Sequence, residues 1–306
     1  MNVEPDLAVE IAGIQMKNPL IAASGCYGYG QEYSSYISPE RWGAIALKGT
    51  TLRPRAGNPP PRIVETPSGL INAVGLQNPG IEKVLKEEVP ALREKDVPLI
   101  INVSGETVQE YVLLGESVSR ARGVSGLELN ISCPNVERGG IAFGSDPVLV
   151  RELVSAVRDS YTGPLIVKLS PNTEHLTRIA VAAEEAGADA LSLINTLRAM
   201  VVDIEKQRPV LANVIGGLSG PAIRPVAVRA VWEVAAAVKI PLIGMGGIIS
   251  TSDALQFILA GAAAVAVGTG NFIDPLIADK ITAGIKEYMR SKGFARVSAM
   301  VGAARR

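Results

Sequence analysis

The sequence predicts an α/β chain folded as a (β/α)8 barrel, a TIM barrel with its active site at the C-terminal face of the strands. Three observations predict it. Short apolar, β-branched runs alternate from end to end with longer segments of helical period. Eight of those runs are apolar on consecutive positions, as in strands covered on both faces. Polar residues and glycines cluster at the end of nearly every run, whereas an open doubly wound sheet would gather them at one switch point. The 306 residues suit one such barrel. No Ser/Gly linker or charge block divides them, so residues 1–306 are expected to form a single domain.

The expected strands are Leu20–Ala23, Ala44–Leu47, Leu99–Val103, Leu127–Ile131, Leu165–Leu169, Ala190–Ile194, Leu242–Met245 and Ala264–Val267. The first, third, fifth and seventh open on the same Pro-Leu-Ile, at Pro19, Pro98, Pro164 and Pro241. Proline is tolerated at the first residue of a strand, and its recurrence on odd strands fits a repetitive architecture. Apolar residues three and four apart predict helices over Ile81–Lys95, Thr107–Arg122, Pro147–Tyr161, Leu176–Ala186, Ile223–Val238, Asp253–Ala260 and Pro275–Lys292. Asp146-Pro147 reads as an N-cap followed by proline at the first helical position. Ser250 with Asp253 resembles a capping box. Gly187 and Gly261 follow helices, where a left-handed residue is often required.

Composition excludes several functions. Apolar residues make up 47% of the chain and charge is balanced, with 30 Lys plus Arg against 30 Asp plus Glu, so it is not a disordered chain. The balance, with no basic run, argues against nucleic acid as a partner. Two cysteines, Cys26 and Cys133, cannot build a Cys-rich metal site. One histidine, His175, excludes a multi-His metal centre, and its place at a helix start suits a surface or capping role. No apolar run is long enough to span a membrane. Few thiols and no signal pattern over Met1–Glu10 suggest the reducing cytoplasm.

Catalytic groups of such a barrel sit where strands end. Those positions hold Ser24, Lys48, Asn102, Asn130, Lys168, Asn195 with Thr196, Gly246 with Gly247, and Gly268 with Thr269. A lysine directly after an apolar run lies near the barrel axis and needs an anion or an electron-rich ring, because an unpaired buried ammonium is costly. The glycines at strands seven and eight let backbone N–H groups approach a ligand, where barrels often bind phosphate. Gly216-Gly217 and Gly220 read as a third flexible loop. Asn72, Asn102, Asn130 and Asn195 offer a donor and an acceptor side by side, which suits the edge of an imide or a flavin ring. Asn172 and Asn213 read as ordinary turn residues. Cys133, between strand four and a glycine-rich stretch, is a functional candidate, and Cys26 a structural one. The stretch from Pro134 to Ser145 is a candidate lid.

These residues resemble a known family. Lys48-Gly49-Thr50-Thr51, Gly57-Asn58-Pro59 with Pro61-Arg62, Asn72-Ala73-Val74-Gly75-Leu76-Gln77-Asn78, Asn130-Ile131-Ser132-Cys133-Pro134-Asn135 and Gly244-Met245-Gly246-Gly247-Ile248 are similar to the class 1 dihydroorotate dehydrogenases. The likeness runs from about residue 7 to the C-terminus. Glu65-Thr66-Pro67, Leu76-Gln77-Asn78-Pro79 and Val136-Glu137-Arg138-Gly139-Gly140 bring it nearest the 1B type, a catalytic subunit with an electron-transfer partner.

The resemblance implies oxidation of dihydroorotate to orotate on FMN. It implies flavin contacts at Ser24, Lys48, Gly49, Asn102, Asn130, Lys168, Ile194, Gly220, Gly246, Gly247, Gly268 and Thr269, with Lys168 near the ring edge where negative charge collects on reduction. It implies substrate contacts at Lys48, Asn72, Ala73, Val74, Gly75, Leu76, Asn130, Asn195 and Thr196. Cys133 would take the C5 proton as general base, and an ordinary thiol pKa of about 8.5 makes the rate climb towards mildly alkaline pH. The family's electrons pass through a 2Fe–2S cluster and FAD to NAD. A cluster needs about four cysteines, so cluster and FAD belong to an iron–sulfur flavoprotein partner, in a heterotetramer around a homodimer of this chain. Three alternatives remain: a 1A-like homodimer reducing fumarate, another FMN-barrel oxidoreductase acting on a related pyrimidine, and a non-catalytic phosphate-binding barrel.

Overall fold

The computed structural model describes residues 4–305 except 133 and 136–140. Eight parallel strands close into a barrel in chain order. They are β1 (Leu20–Ala22), β2 (Ala44–Ala46), β3 (Leu99–Val103), β4 (Gly126–Asn130), β5 (Leu165–Lys168), β6 (Ala190–Leu193), β7 (Leu242–Met245) and β8 (Ala264–Val267). Each lies within its expected run, except that β4 begins and ends one residue earlier than expected. Around them run α1 (81–92, with a π-type turn at Val84–Glu88), α2 (Val108–Ser119), α3 (Pro147–Ser160), α4 (Leu176–Glu185), α5 (Arg224–Val234), α6 (Thr251–Ala260) and α7 (Ile277–Lys292).

The crossover from β1 to β2 carries only the 3-10 turn Pro39–Arg41. An aromatic cluster takes the place of a helix there. Tyr27 stacks on Tyr33 at 4.9 Å and meets Trp42 edge-on at 5.7 Å. Tyr27 and Trp42 are fully buried. Local chemistry sets the helix ends. Thr107 and Asp146 accept hydrogen bonds from Glu110 N and Val148 N at the starts of α2 and α3. Ser250 caps α6 through Asp253 N, but the Asp253 carboxylate reaches Ile249 N rather than the Ser250 N–H of a full capping box. Gly187 and Gly261 take φ of +100° and +130° after α4 and α6, in the positive region that glycine alone adopts freely.

Alternate strand residues face the barrel axis. Ile21, Ala44, Ile100, Ile166, Ala190, Ile243 and Ala264 form one buried cluster. The hairpin Val9–Ile11/Ile14–Met16, which the sequence reading did not foresee, adds Ile11, Ile14 and Met16 to it. Ile14 lies against the start of β4, where a Cβ on Gly126 would meet it at 2.9 Å. The hairpin therefore plugs the N-terminal mouth, and each apolar side chain buried there contributes about 1.5–3 kcal/mol. The plug leaves the C-terminal mouth as the open end.

A second unforeseen element stands over that end. Leu197–Ala199, Gly216–Ser219, Gly69–Asn72 and Ile63–Thr66 form a four-stranded antiparallel sheet. Gly216-Gly217 is therefore part of a strand rather than a flexible loop. The sheet brings segments about 145 residues apart in sequence against one another, with Asn72 opposite Gly217. No helix among the described residues is long and apolar enough to cross a membrane.

Candidate active site

Lys48 follows β2 and Lys168 ends β5, and both point into the open end of the barrel. Lys168 is only 6% exposed, and its Nζ donates to Ser24 Oγ at 3.3 Å. Neither ammonium forms an ion pair among the described residues. Two positive charges with so little compensation make the hollow receptive to an anion or to a ring that gains negative charge.

The amides meet the lysines in one cavity of about 410 Å³. It is lined by Lys48, Gly49, Asn72–Leu76, Asn102, Asn130, Lys168, Asn195 and Thr196, among others. Asn195 Nδ2 donates to Asn130 Oδ1 at 3.3 Å and to Ser132 Oγ at 2.8 Å. Its Oδ1 accepts from Thr196 N at 2.9 Å. Tyr111, on α2, donates its hydroxyl to the Asn130 carbonyl at 2.6 Å, which steadies the end of β4. Asn172 does more than turn the chain: it donates to Thr196 O and accepts from Arg198 N, so it ties the β5 loop to the covering sheet.

The Asn72–Leu76 stretch is clamped at both ends. Asn58 donates through Nδ2 to Ala73 O at 2.9 Å and through its backbone N–H to Val74 O. Asn78 accepts from Thr51 N and Gly80 N, and donates to Thr51 Oγ1 and Leu76 O. These two asparagines explain why the Gly57-Asn58-Pro59 and Gln77-Asn78 signatures accompany the stretch. Gly75 takes φ +74°, and a Cβ there would stand 2.6 Å from the Asn58 side chain.

A second hollow of about 90 Å³ continues from the first. The two share Ser24, Cys26, Lys168, Asn195, Thr196 and Ser219. Its far end is lined by Gly220, Gly246, Gly247, Gly268 and Thr269, from three loops. Close packing requires glycine here: a Cβ on Gly247 would lie 2.7 Å from the Gly220 carbonyl, and one on Gly246 2.8 Å from Ala227. Gly220, Gly246 and Gly247 all take positive φ. Thr269 Oγ1 donates to Ser219 Oγ at 2.8 Å, joining β8 to the covering sheet. Arg224, at the start of α5, pairs with the buried Asp253 and fixes the neighbouring backbone. Ile194 is buried and its N–H is committed to Met245 O, so only its carbonyl and side chain are left to a ligand.

A glycine cradle at one end and an amide–lysine chamber at the other fit a long ligand with a phosphate tip and a ring bearing imide groups. On these donors and shapes, the residues present suit a flavin mononucleotide. Cys26 lines both hollows and is half-buried; burial pushes its thiol up to about 11, against the opposing pull of Lys168. Such a thiol is inert at neutral pH. Cys133 lies outside the described residues, as does 136–140 of the expected lid. His175 is exposed and makes no side-chain cap. No group of three or more metal-ligating side chains occurs among the described residues.

Two contributors escaped the sequence reading. Glu128 and Ser192 lie inside β4 and β6, with their side chains in the barrel beneath the chamber. Their only signal was polarity inside an apolar run, at the same inward parity as Asn130.

Comparison with known proteins places these features among relatives. Residues 6–289 match the family model described as dihydroorotate dehydrogenase. Three curated proteins named "Dihydroorotate dehydrogenase B (NAD(+)), catalytic subunit" align along nearly their whole length. Those of Geotalea daltonii and Geotalea uraniireducens are 56% and 55% identical over 300 residues, covering 98% of each chain. That of Desulforudis audaxviator is 55% identical over 299 residues, covering 98% of this chain and 97% of its own.

Proposed function

Because the chain belongs to the dihydroorotate dehydrogenase family, we propose that it is the FMN-holding catalytic subunit of an enzyme that oxidises dihydroorotate to orotate in pyrimidine synthesis and passes the electrons to NAD. The continuity of the amide–lysine chamber with the glycine cradle carries this reading. Held there, FMN would supply the hydride acceptor for C6 of the substrate.

The chain's own residues do the rest. Gly220, Gly246, Gly247, Gly268 and Thr269 receive the phosphate on backbone N–H groups. Ser24, Lys48, Gly49, Asn102, Asn130, Lys168 and Ile194 hold the ring and its chain. Lys168 supplies the positive charge where the ring gains electrons. Asn72 to Leu76, Asn130, Asn195 and Thr196 orient the substrate's ring amides, and Lys48 meets its carboxylate. Cys133 removes the C5 proton as general base.

"Catalytic subunit" in the relatives' names supports a second subunit. We assign that partner the FAD and a 2Fe–2S cluster, around a homodimer of this chain in the cytoplasm. The test is anaerobic. Dihydroorotate should bleach the yellow flavin of the purified chain, and fumarate should fail to restore it without the partner. An unchanged spectrum would sink the catalytic reading, and recovery with fumarate alone would transfer the chain to the 1A type.

A further inference from the structure

The function proposed above leaves one buried carboxylate without a task. Glu128 is 3% exposed and stands between Leu127 and Leu129 on β4. Burying a carboxylate is costly unless hydrogen bonds replace its water. Two short ones do. Asn102 Nδ2 donates to Oε2 at 2.6 Å, and Ser192 Oγ donates to Oε1 at 2.6 Å. The carboxylate thereby joins β3, β4 and β6 inside the barrel. An apolar side chain could pack these strands without that cost, so what the pairing adds is specificity.

What it specifies is a direction. A carboxylate only accepts, whereas an amide carries a donor on one side and an acceptor on the other. Only the NH2 of Asn102 can face Glu128. Its Oδ1 must therefore face away, towards Gly49 at the chamber wall, where a Cβ would stand 3.0 Å from it. Asn102 and Gly49 both line the chamber. We propose that Glu128 is a positioning residue that locks the Asn102 amide with its oxygen towards the chamber, so that the site accepts an imide N–H of the flavin ring. The inference rests on the flavin reading given above. Turned the other way, the amide would set its NH2 against the ring N–H and leave both unsatisfied.

The test uses the full chain, FMN and N3-methyl-FMN, with affinities measured at neutral pH by flavin fluorescence. The wild type should prefer FMN, because the methyl group removes the donor. In the double variant Glu128→Gln/Ser192→Ala, the Ser192 hydroxyl is gone and Asn102 Oδ1 is the acceptor offered to the new amide NH2, so Asn102 turns. FMN should then bind about tenfold more weakly, while N3-methyl-FMN is unaffected and the preference collapses. Glu128→Gln alone permits both orientations and should fall between. Ser192→Ala alone leaves the Glu128–Asn102 bond and should keep the wild-type preference.

Equal weakening of both flavins in the double variant would mean a purely structural carboxylate and would overturn the proposal. So would a Ser192→Ala chain that behaves like the double variant. If the flavin preference survives and orotate affinity drops instead, the amide reads the substrate's imide, and the flavin assignment fails. A wild-type chain that binds no flavin overturns the function reading itself, and this inference with it.

Discussion

At Gly217 a side chain is excluded by a neighbour that the proposed substrate needs. A Cβ there would stand 2.1 Å from Thr196 Oγ1 and 2.6 Å from Thr196 Cβ. Gly217→Ala must push Thr196 off its place above the chamber. Overpacking of this kind costs about 1–3 kcal/mol, so KM for dihydroorotate should rise about tenfold or more. Flavin content should fall less, because Gly217 itself does not line the hollow that holds the cradle. Steady-state kinetics with a flavin count checks both. Lys48, Asn130, Asn195 and Lys168 were legible because a polar residue ending an apolar run is conspicuous. Glu128 was not, because its value lies in partners on β3 and β6 whose approach is set by barrel closure. Asn58 and Asn78 stood inside the quoted motifs, but their clamping of the Asn72–Leu76 stretch is visible only once the loops are folded.

Among the elements, strands and helices followed their local patterns. Apolar runs became barrel strands, and caps formed where Ser, Thr and Asp preceded helical periods. Those interactions span three or four residues, so sequence displays them directly. The cap of α3 offers a clean test. Asp146 accepts from Val148 N at 2.7 Å from an exposed position. Asp146→Ala should cost about 1 kcal/mol, read as a lower urea midpoint with an unchanged slope. The N-terminal hairpin and the covering sheet were not legible. Their strands are three or four residues long, too short for periodicity, and the pairing of the covering sheet joins distant segments. The missing helix between β1 and β2 did show, as the absence of a helical pattern there.

For the whole molecule, the buried acids set an alkaline limit. Burial raises Tyr27 and Tyr161 to about 12 and Cys26 to about 11. Folded, these groups keep their protons after the unfolded chain has lost them, at about 9 for the thiol and 10 for the phenols. The folded state then binds more protons than the unfolded one, so stability falls as pH rises. The expected outcome is full stability at neutrality and a melting temperature that drops from about pH 9 to 12, measured by calorimetry. A flat melting temperature across that window would contradict the burial of these groups. Sequence alone determined the order of the barrel strands and outer helices, the open mouth's polar residues, the glycine loops after β7 and β8 and the family, because each is carried by local spacing or by motifs in order. Tertiary structure alone decided that a hairpin plugs one mouth, that a sheet covers the other, and that Glu128 accepts the amide NH2 of Asn102. Those depend on closing eight strands into a ring, which brings residues remote in the chain within hydrogen-bond reach, and no local pattern records that closure.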